Sequence, residues 1–402
     1  MRINIMYISV FAIIFYISYF ASAFTSVSGF SFLIYCIMDI QLLLYNYKLR
    51  LKGGIINTLP YEGKALILFY IISVPVGCFF ALDLNTFLID SIKGIHYCVL
   101  FILVYIIVKQ ERNMDSVLII LGIVFFLYGI TAILNGDYIL DRLMISERAH
   151  PNGLGLNMVI GLILCCYFFS KNWHYKVIVF SFVPIAMYCL IESGSRKSLI
   201  TFGIFLALAV FLTLLPSITK MKARDFLVGS LVIVAIITVV YTYYLPMYEN
   251  SVLYQRLNTE YNDDGSAMGR VDMYRTAIAI FKEYPLFGIG YNSFKYYSKH
   301  GGYAHSTYGE VLSCSGIIGS VIYFSIYISI LLKYIKLFFT KFKNKKPILT
   351  EGIVVSYLLS NFILMSTNID IYHQYFFVLL GCFVAYYELE KDIIYQERTE
   401  KN

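Results

Sequence analysis

The chain has 402 residues, of which 59% are hydrophobic and 14% charged, and its mean hydropathy is +0.71. Soluble domains carry about 25% charged residues, so a water-facing coat is excluded, while 32 Phe and 37 Tyr exclude disorder. Eight cysteines without a C-x-x-C spacing exclude a disulfide scaffold and point to neither a zinc site nor a redox pair, which leaves an all-α polytopic membrane protein.

A spanning helix needs about 20 apolar residues. Such runs predict helices over 3–23, 27–47, 64–82, 90–108, 115–134, 154–170, 174–193, 198–216, 226–246, 311–332, 349–367 and 371–388, twelve in all. The run at 90–108 is the least apolar, since it holds Asp90, Lys93 and His96. For the first run, Arg2 and Ala21-Ser22-Ala23 leave a cleaved leader as the alternative. With both termini in the cytosol, the cytoplasmic segments hold 21 Lys and Arg and the short external loops 4, which sets the direction of insertion. The net charge of +7 is mostly that insertion signal, so the expected partner is the lipid bilayer and not nucleic acid. Residues 1–246 read as nine helices with short loops, 247–310 as an external cap, and 311–402 as three helices with a cytoplasmic tail.

The cytoplasmic loops are mostly short and basic, so a site is expected on the external face. The loop 135–153 carries Arg142 and Arg148, candidates for attracting an anionic substrate, and ends in His150-Pro151-Asn152-Gly153. Pro151 disfavours helix before it and Asn152 is a candidate cap. The next external turn is Glu192-Ser193-Gly194-Ser195-Arg196-Lys197-Ser198. Two cations on the side disfavoured for positive charge point to an anion, and Arg196 suits two-pronged phosphate contact. Snorkelling helix-end cations, with Glu192 as an ion-pair partner, are the alternative.

In the cap, Val271, Tyr274, Ile278 and Phe281 recur at helical spacing, so 270–284 reads as an amphipathic helix that Pro285 ends. Arg270 lies about one turn from Tyr274 and can share its face. Leu286-Phe287-Gly288-Ile289-Gly290 reads as a turn. His305 stands where the chain re-enters the membrane, followed by Glu310, and histidine exchanges protons near neutral pH. His300 is the neighbouring alternative, and a structural histidine is the bland one.

In order, spacing and placement, these elements resemble the O-antigen ligase and polymerase superfamily of bacterial envelope glycosyltransferases. The parts are Pro151-Asn152, Ser193-Gly194-Ser195-Arg196, Arg270 with Tyr274, Pro285 to Gly290, and His305 followed by Gly316 and Gly319. Ser306 stands where the family usually has Asn, Tyr274 where it commonly has Trp, and Cys314 where ligases often place an acid; Glu310 looks more like the polymerases. The resemblance implies a bundle like that of the GT-C glycosyltransferases, in the bacterial inner membrane. It implies metal-independent, inverting sugar transfer from an undecaprenyl-pyrophosphate-linked oligosaccharide, without a cofactor. Arg196, Arg270 and His305 match the family's functional positions. Glu310 is a second proton acceptor, and Lys197, Tyr274 and Arg275 are further substrate contacts. A chain-length regulator and a flippase are the implied protein partners. A repeat-unit polymerase of O-antigen or capsule is the first reading and a ligase to lipid A-core the second. A flippase or other transporter is the alternative of another class, against which the lack of repeated halves speaks.

Overall fold

The computed structural model describes residues 59–139, 141–146, 150–169, 171, 173–218, 265–299 and 301–399. The expected spans 3–23, 27–47 and 226–246 lie outside these residues. The described helices are α1 (Tyr61–Phe80), α2 (Leu84–Glu111), α3 (Asp115–Asn135), α4 (Pro151–Phe169), α5 (Trp173–Glu192) and α6 (Arg196–Ile218). They continue as α7 (Gly265–Glu283), the short α8 (Phe294–Tyr297), α9 (Thr307–Lys343), α10 (Leu349–Leu364) and α11 (Gln374–Thr399). Among the described residues, six helices are long and apolar enough to cross a membrane: α1, α2, α3, α4, the Arg196–Thr213 part of α6, and α9. Val179–Glu192 and α10 are shorter apolar stretches.

The loop expected at 135–153 instead contains a hairpin, β1 (Asp137–Ile139) paired antiparallel with β2 (Arg142–Met144). Asp141, at φ 58°, takes the left-handed turn position that Asp tolerates. Asn152 is not the cap of α4. Pro151 takes the first helical position, where a missing N–H costs nothing.

Two compact units divide the chain: Met1–Leu121 with Asp264–Tyr334 and Ile363–Asn402, and Gly122–Asp263 with Ile335–Phe362. In the second unit, α4 packs against α5 and α6. Gly161 of α4 lies against the Phe182 ring of α5, so close that a Cβ there would stand 2.4 Å from the ring.

In the first unit, α2 and α11 pack in parallel. Tyr97 stacks on Phe377 at 5.5 Å, and eight residues further along α2 the Tyr105 hydroxyl donates to Glu388 at 2.6 Å. Gly381 permits the approach, because a Cβ there would stand 2.8 Å from the Phe101 carbonyl oxygen. The charges that made 90–108 the weakest span are paired: Asp90 accepts from Lys93 at 3.1 Å and also from Lys295. Asp83 caps the helix by accepting from the Asn85 and Thr86 amides, so α2 begins at Leu84.

Helix α1 runs antiparallel to α9, with Glu62 beside Ser329 and Lys333 and Ser73 beside Ser315. Glu62 is 0% exposed and accepts from Ser329 at 2.6 Å and Lys333 at 2.7 Å. Removing the lysine strands a buried carboxylate, at a cost of about 3–5 kcal/mol. Lys333→Met is therefore expected to lower the thermal midpoint in detergent, and adding Glu62→Gln to recover part of the loss. An unchanged midpoint in the single variant would contradict this pairing.

Helix α9 is not continuous. At Gly316 the backbone turns to φ 58° and ψ −164°. The freed groups find partners in the segment after α7. The Ile289 and Gly290 amides donate to the Ser313 and Cys314 carbonyls at 3.1 and 2.7 Å, and the Ile317 and Ile318 amides donate to the Pro285 and Leu286 carbonyls at 2.9 and 3.2 Å. A backbone break at membrane depth is tolerated only with such repair. Gly288, at φ 65°, lies so close that a Cβ would stand 2.5 Å from the Ser313 carbonyl oxygen, and a Cβ on Gly316 would collide with Leu286. The two glycines thus lock the turn and the broken helix together.

Helix α7 forms where the spacing indicates and ends before Pro285, but its buried face differs from the one expected. Met273, Ala277 and Ile280 join a core with Ile289, Phe294, Ala304 and Cys314, while Ile278 is 51% exposed.

Candidate functional site

In the second unit, the Ser193-Gly194-Ser195 turn joins α5 to α6. Ser193, Ser195 and Ser198 are fully buried, and Ser195 and Ser198 share a hydroxyl hydrogen bond of 2.7 Å at the start of α6. Gly194 has φ 59°, which lets the chain reverse in one residue. The turn is tight because it rests on Gly155 of α4, where a Cβ would stand 2.7 Å from the Ser193 hydroxyl. These contacts place Arg196 and Lys197, both half-buried, in the first turn of α6. Cations there add to the positive end of the helix dipole, at about 0.3–1 kcal/mol each. A bound anion would offset that cost.

Arg142 is built into the same unit. Its Nε donates to the Ser193 carbonyl at 2.8 Å and its Nη2 to the Asn152 side chain at 2.6 Å, so it ties the hairpin to α4 and to the serine turn. Arg142, expected from the sequence to attract substrate, thus also holds the hairpin in place. Arg148 and His300 lie outside the described residues.

In the first unit, Arg270 is half-buried in α7, and Tyr274, one turn on, donates its hydroxyl to the Ser366 carbonyl at 2.7 Å. Tyr274, expected from the sequence to contact substrate, thus makes a hydrogen bond to the chain's own backbone. The Arg275 side chain is 78% exposed and lies 3.7 Å from Asp272 on the same helix.

His305 is exposed at φ 53°, a strained position for a non-glycine residue, directly before α9. Its neighbours hold it. Ala304 donates its amide to Glu310 Oε2 at 2.8 Å, and Ser306 donates its hydroxyl to the Met365 carbonyl at 3.3 Å. Glu310 is 1% exposed, and its Oε1 accepts from the Tyr372 hydroxyl at 2.7 Å. Tyr372 packs between the Tyr291 and Tyr303 rings, with centroids 5.5 and 5.0 Å away. Both oxygens of Glu310, the second proton acceptor expected from the sequence, thus accept hydrogen bonds within the turn.

Lys295 lies near this turn. Burial works against its charge, but the hydrogen bond and charge of Asp90 outweigh burial and raise its pKa. The pair therefore stabilises the fold at neutral pH and is lost only as pH rises beyond the ordinary lysine range. An apolar groove of about 760 Å³ runs along α9, lined in chain order from Tyr61 and Tyr308 through Leu312, Val321 and Phe324 to Leu332. Among the described residues, no group of three or more His, Cys, Asp or Glu is placed to hold a metal ion.

The sequence alone does not single out Lys295, Tyr372 or the polar turn Asn368–Asp370, and it marks Asp90 only as a charge within a span. The one available signal was the presence of Asn368 and Asp370 in a gap of three residues between apolar runs.

A family model described as O-antigen ligase matches residues 180–324. That range contains Arg196, Arg270, His305 and the two interlocked glycines. The teichuronic acid biosynthesis protein TuaE of Bacillus subtilis (strain 168) is 26% identical over 224 residues, 52% of this chain and 45% of that protein. The match thus spans less than half of the relative's length.

Proposed function

We propose, on the premise that the chain belongs with the O-antigen ligase and polymerase superfamily, that it is a membrane-embedded glycosyltransferase of polysaccharide biosynthesis that joins lipid-linked repeat units. The observation that carries this reading is the setting of His305. An exposed imidazole stands on a pinned turn at the head of α9, and the apolar groove beside that helix takes in Tyr308, three residues further on. A polyprenyl tail suits the groove and a glycan hydroxyl suits the imidazole. The site faces the outer side of the inner membrane, opposite the lysine-rich loops. The parallel courses of α2, α9 and α11, against antiparallel α1, fit the alternation that this topology requires.

In the proposed reaction the acceptor sugar's hydroxyl oxygen bonds to the anomeric carbon of the donor. The bond from that carbon to the pyrophosphate oxygen breaks, and the pyrophosphate leaves on its lipid with the electron pair. His305 accepts the hydroxyl proton. Arg270, in the same unit as His305, supplies positive charge that the leaving pyrophosphate needs, a preorganised electrostatic role that requires no metal, and Arg196 in its own unit is a cation for an anionic part of the substrate. The ligase reading has a specific observation in its favour, the description of the matching family model.

Purified protein in liposomes, given lipid-linked repeat units, separates the two. Growing ladders in the presence of EDTA are the expected result. Transfer only when a second acceptor is added would make it a ligase, and activity lost to EDTA but restored by Mg²⁺ would contradict the metal-free mechanism.

A further inference from the structure

The loop between α10 and α11, Met365–Tyr372, touches both halves of the reactive machinery in the first unit. Toward α7, the Ser366 carbonyl accepts from Tyr274, one turn from Arg270. Toward His305, the Thr307 amide donates to the Met365 and Asn368 carbonyls at 2.8 and 2.7 Å, and the Thr307 hydroxyl donates to the Asn368 carbonyl at 2.7 Å. The Asp370 amide donates back to the Thr307 hydroxyl at 3.0 Å, and the Asn368 side chain donates to the Asp370 carboxylate at 2.6 Å. At its end, Tyr372 holds Glu310, and Glu310 holds the Ala304 amide.

His305 is thus flanked on both sides by residues pinned, directly or through Glu310, to one loop. The same loop fixes the helix that carries Arg270. Thr307 and Asp370 are 0% exposed and Asn368 6%, so these bonds lie away from water, where each is costly to lose. The φ of 53° at His305 needs such support, since an unsupported left-handed residue relaxes.

We infer that the 365–372 loop is a clamp that sets the spacing between the Arg270 helix and the His305 turn, and that Tyr372, Glu310, Thr307 and Tyr274 are positioning residues for the transfer. The inference rests on the proposed roles of Arg270 and His305. None of the four touches the reacting atoms. Glu310 acts through Ala304 on the orientation of the imidazole, not as a base.

Tyr372→Phe tests it, because the ring and its packing remain and only the hydroxyl bond to Glu310 goes. Turnover of lipid-linked repeat units is expected to fall by about tenfold to a hundredfold. KM for the donor is expected to stay within about twofold of wild type, since the loss affects orientation and not uniform binding, while the thermal midpoint falls modestly because a buried carboxylate loses one donor. Under single turnover, adding Tyr372→Phe to His305→Ala is expected to cost nothing further, because the hydroxyl acts through the imidazole. Turnover within about twofold of wild type in Tyr372→Phe overturns the clamp. So does a full additional loss in the double variant. Wild-type turnover in His305→Ala alone overturns the reading beneath, and the inference with it, so the two failures are told apart.

Discussion

Arg270→Ala and Arg196→Ala are each expected to abolish polymer formation while the protein still accumulates in the membrane. Departure of a pyrophosphate concentrates negative charge on its oxygens, and removing one preorganised donor from such a site costs about 10²–10³ in rate. Arg270 is half-buried, so its field is less screened than that of a surface cation, and Arg196 is half-buried in the first turn of a helix whose dipole adds to its charge. Arg270→Lys keeps the charge and loses the planar fork, so it is expected to retain a small fraction of activity. Polymer length and amount on a gel, set against protein level on a blot, report the result. Near-normal polymer from both alanine variants would remove the arginines from the reaction.

Gly316→Ala is expected to damage folding more than any other single methyl addition in the described helices. The added Cβ collides with the Leu286 backbone, and the residue must also hold φ 58°. Moving either strand of the lock breaks the four amide bonds that repair α9, so a loss on the order of 4 kcal/mol is reasonable. Gly203→Ala, in α6, is the control: nothing lies within 4 Å of its Cβ, and alanine there is expected to be neutral or slightly stabilising. Yield and thermal unfolding in detergent compare the two. Equal behaviour would mean that the 285–290 turn does not seat in α9 as described.

What the sequence showed well was what short-range chemistry encodes. Apolar runs announce α1, α2, α3, α4 and α9 because hydrocarbon demands length and composition, and Pro285 marks the end of α7. The break at Gly316 was invisible for the opposite reason. Residues 311–332 read as one uninterrupted apolar run, and only a distant segment, 285–290, makes the break tolerable. The Leu286–Gly290 turn and Gly316 therefore read as separate features when they form one interlocked structure. The same holds for the clamp, whose acceptors at Met365, Ser366 and Asn368 are backbone carbonyls, and a carbonyl's partner cannot be read from residue type. In α7 helical spacing offers more than one apolar stripe, and the fold buries the one through Met273, Ala277 and Ile280. Residue type marks Glu310 as a proton acceptor, but its burial and its bonds from Tyr372 and Ala304 come from distant folded partners that residue type does not reveal.

Sugar transfer, as distinct from carriage across the membrane, is tested most directly by following a labelled lipid-linked repeat unit in sealed vesicles containing only this protein. The account predicts that each repeat unit added to a growing glycan releases one polyprenyl pyrophosphate, and that His305→Ala slows both together. Appearance of the intact labelled donor on the opposite leaflet, with no new glycosidic bond and no released pyrophosphate, would contradict it.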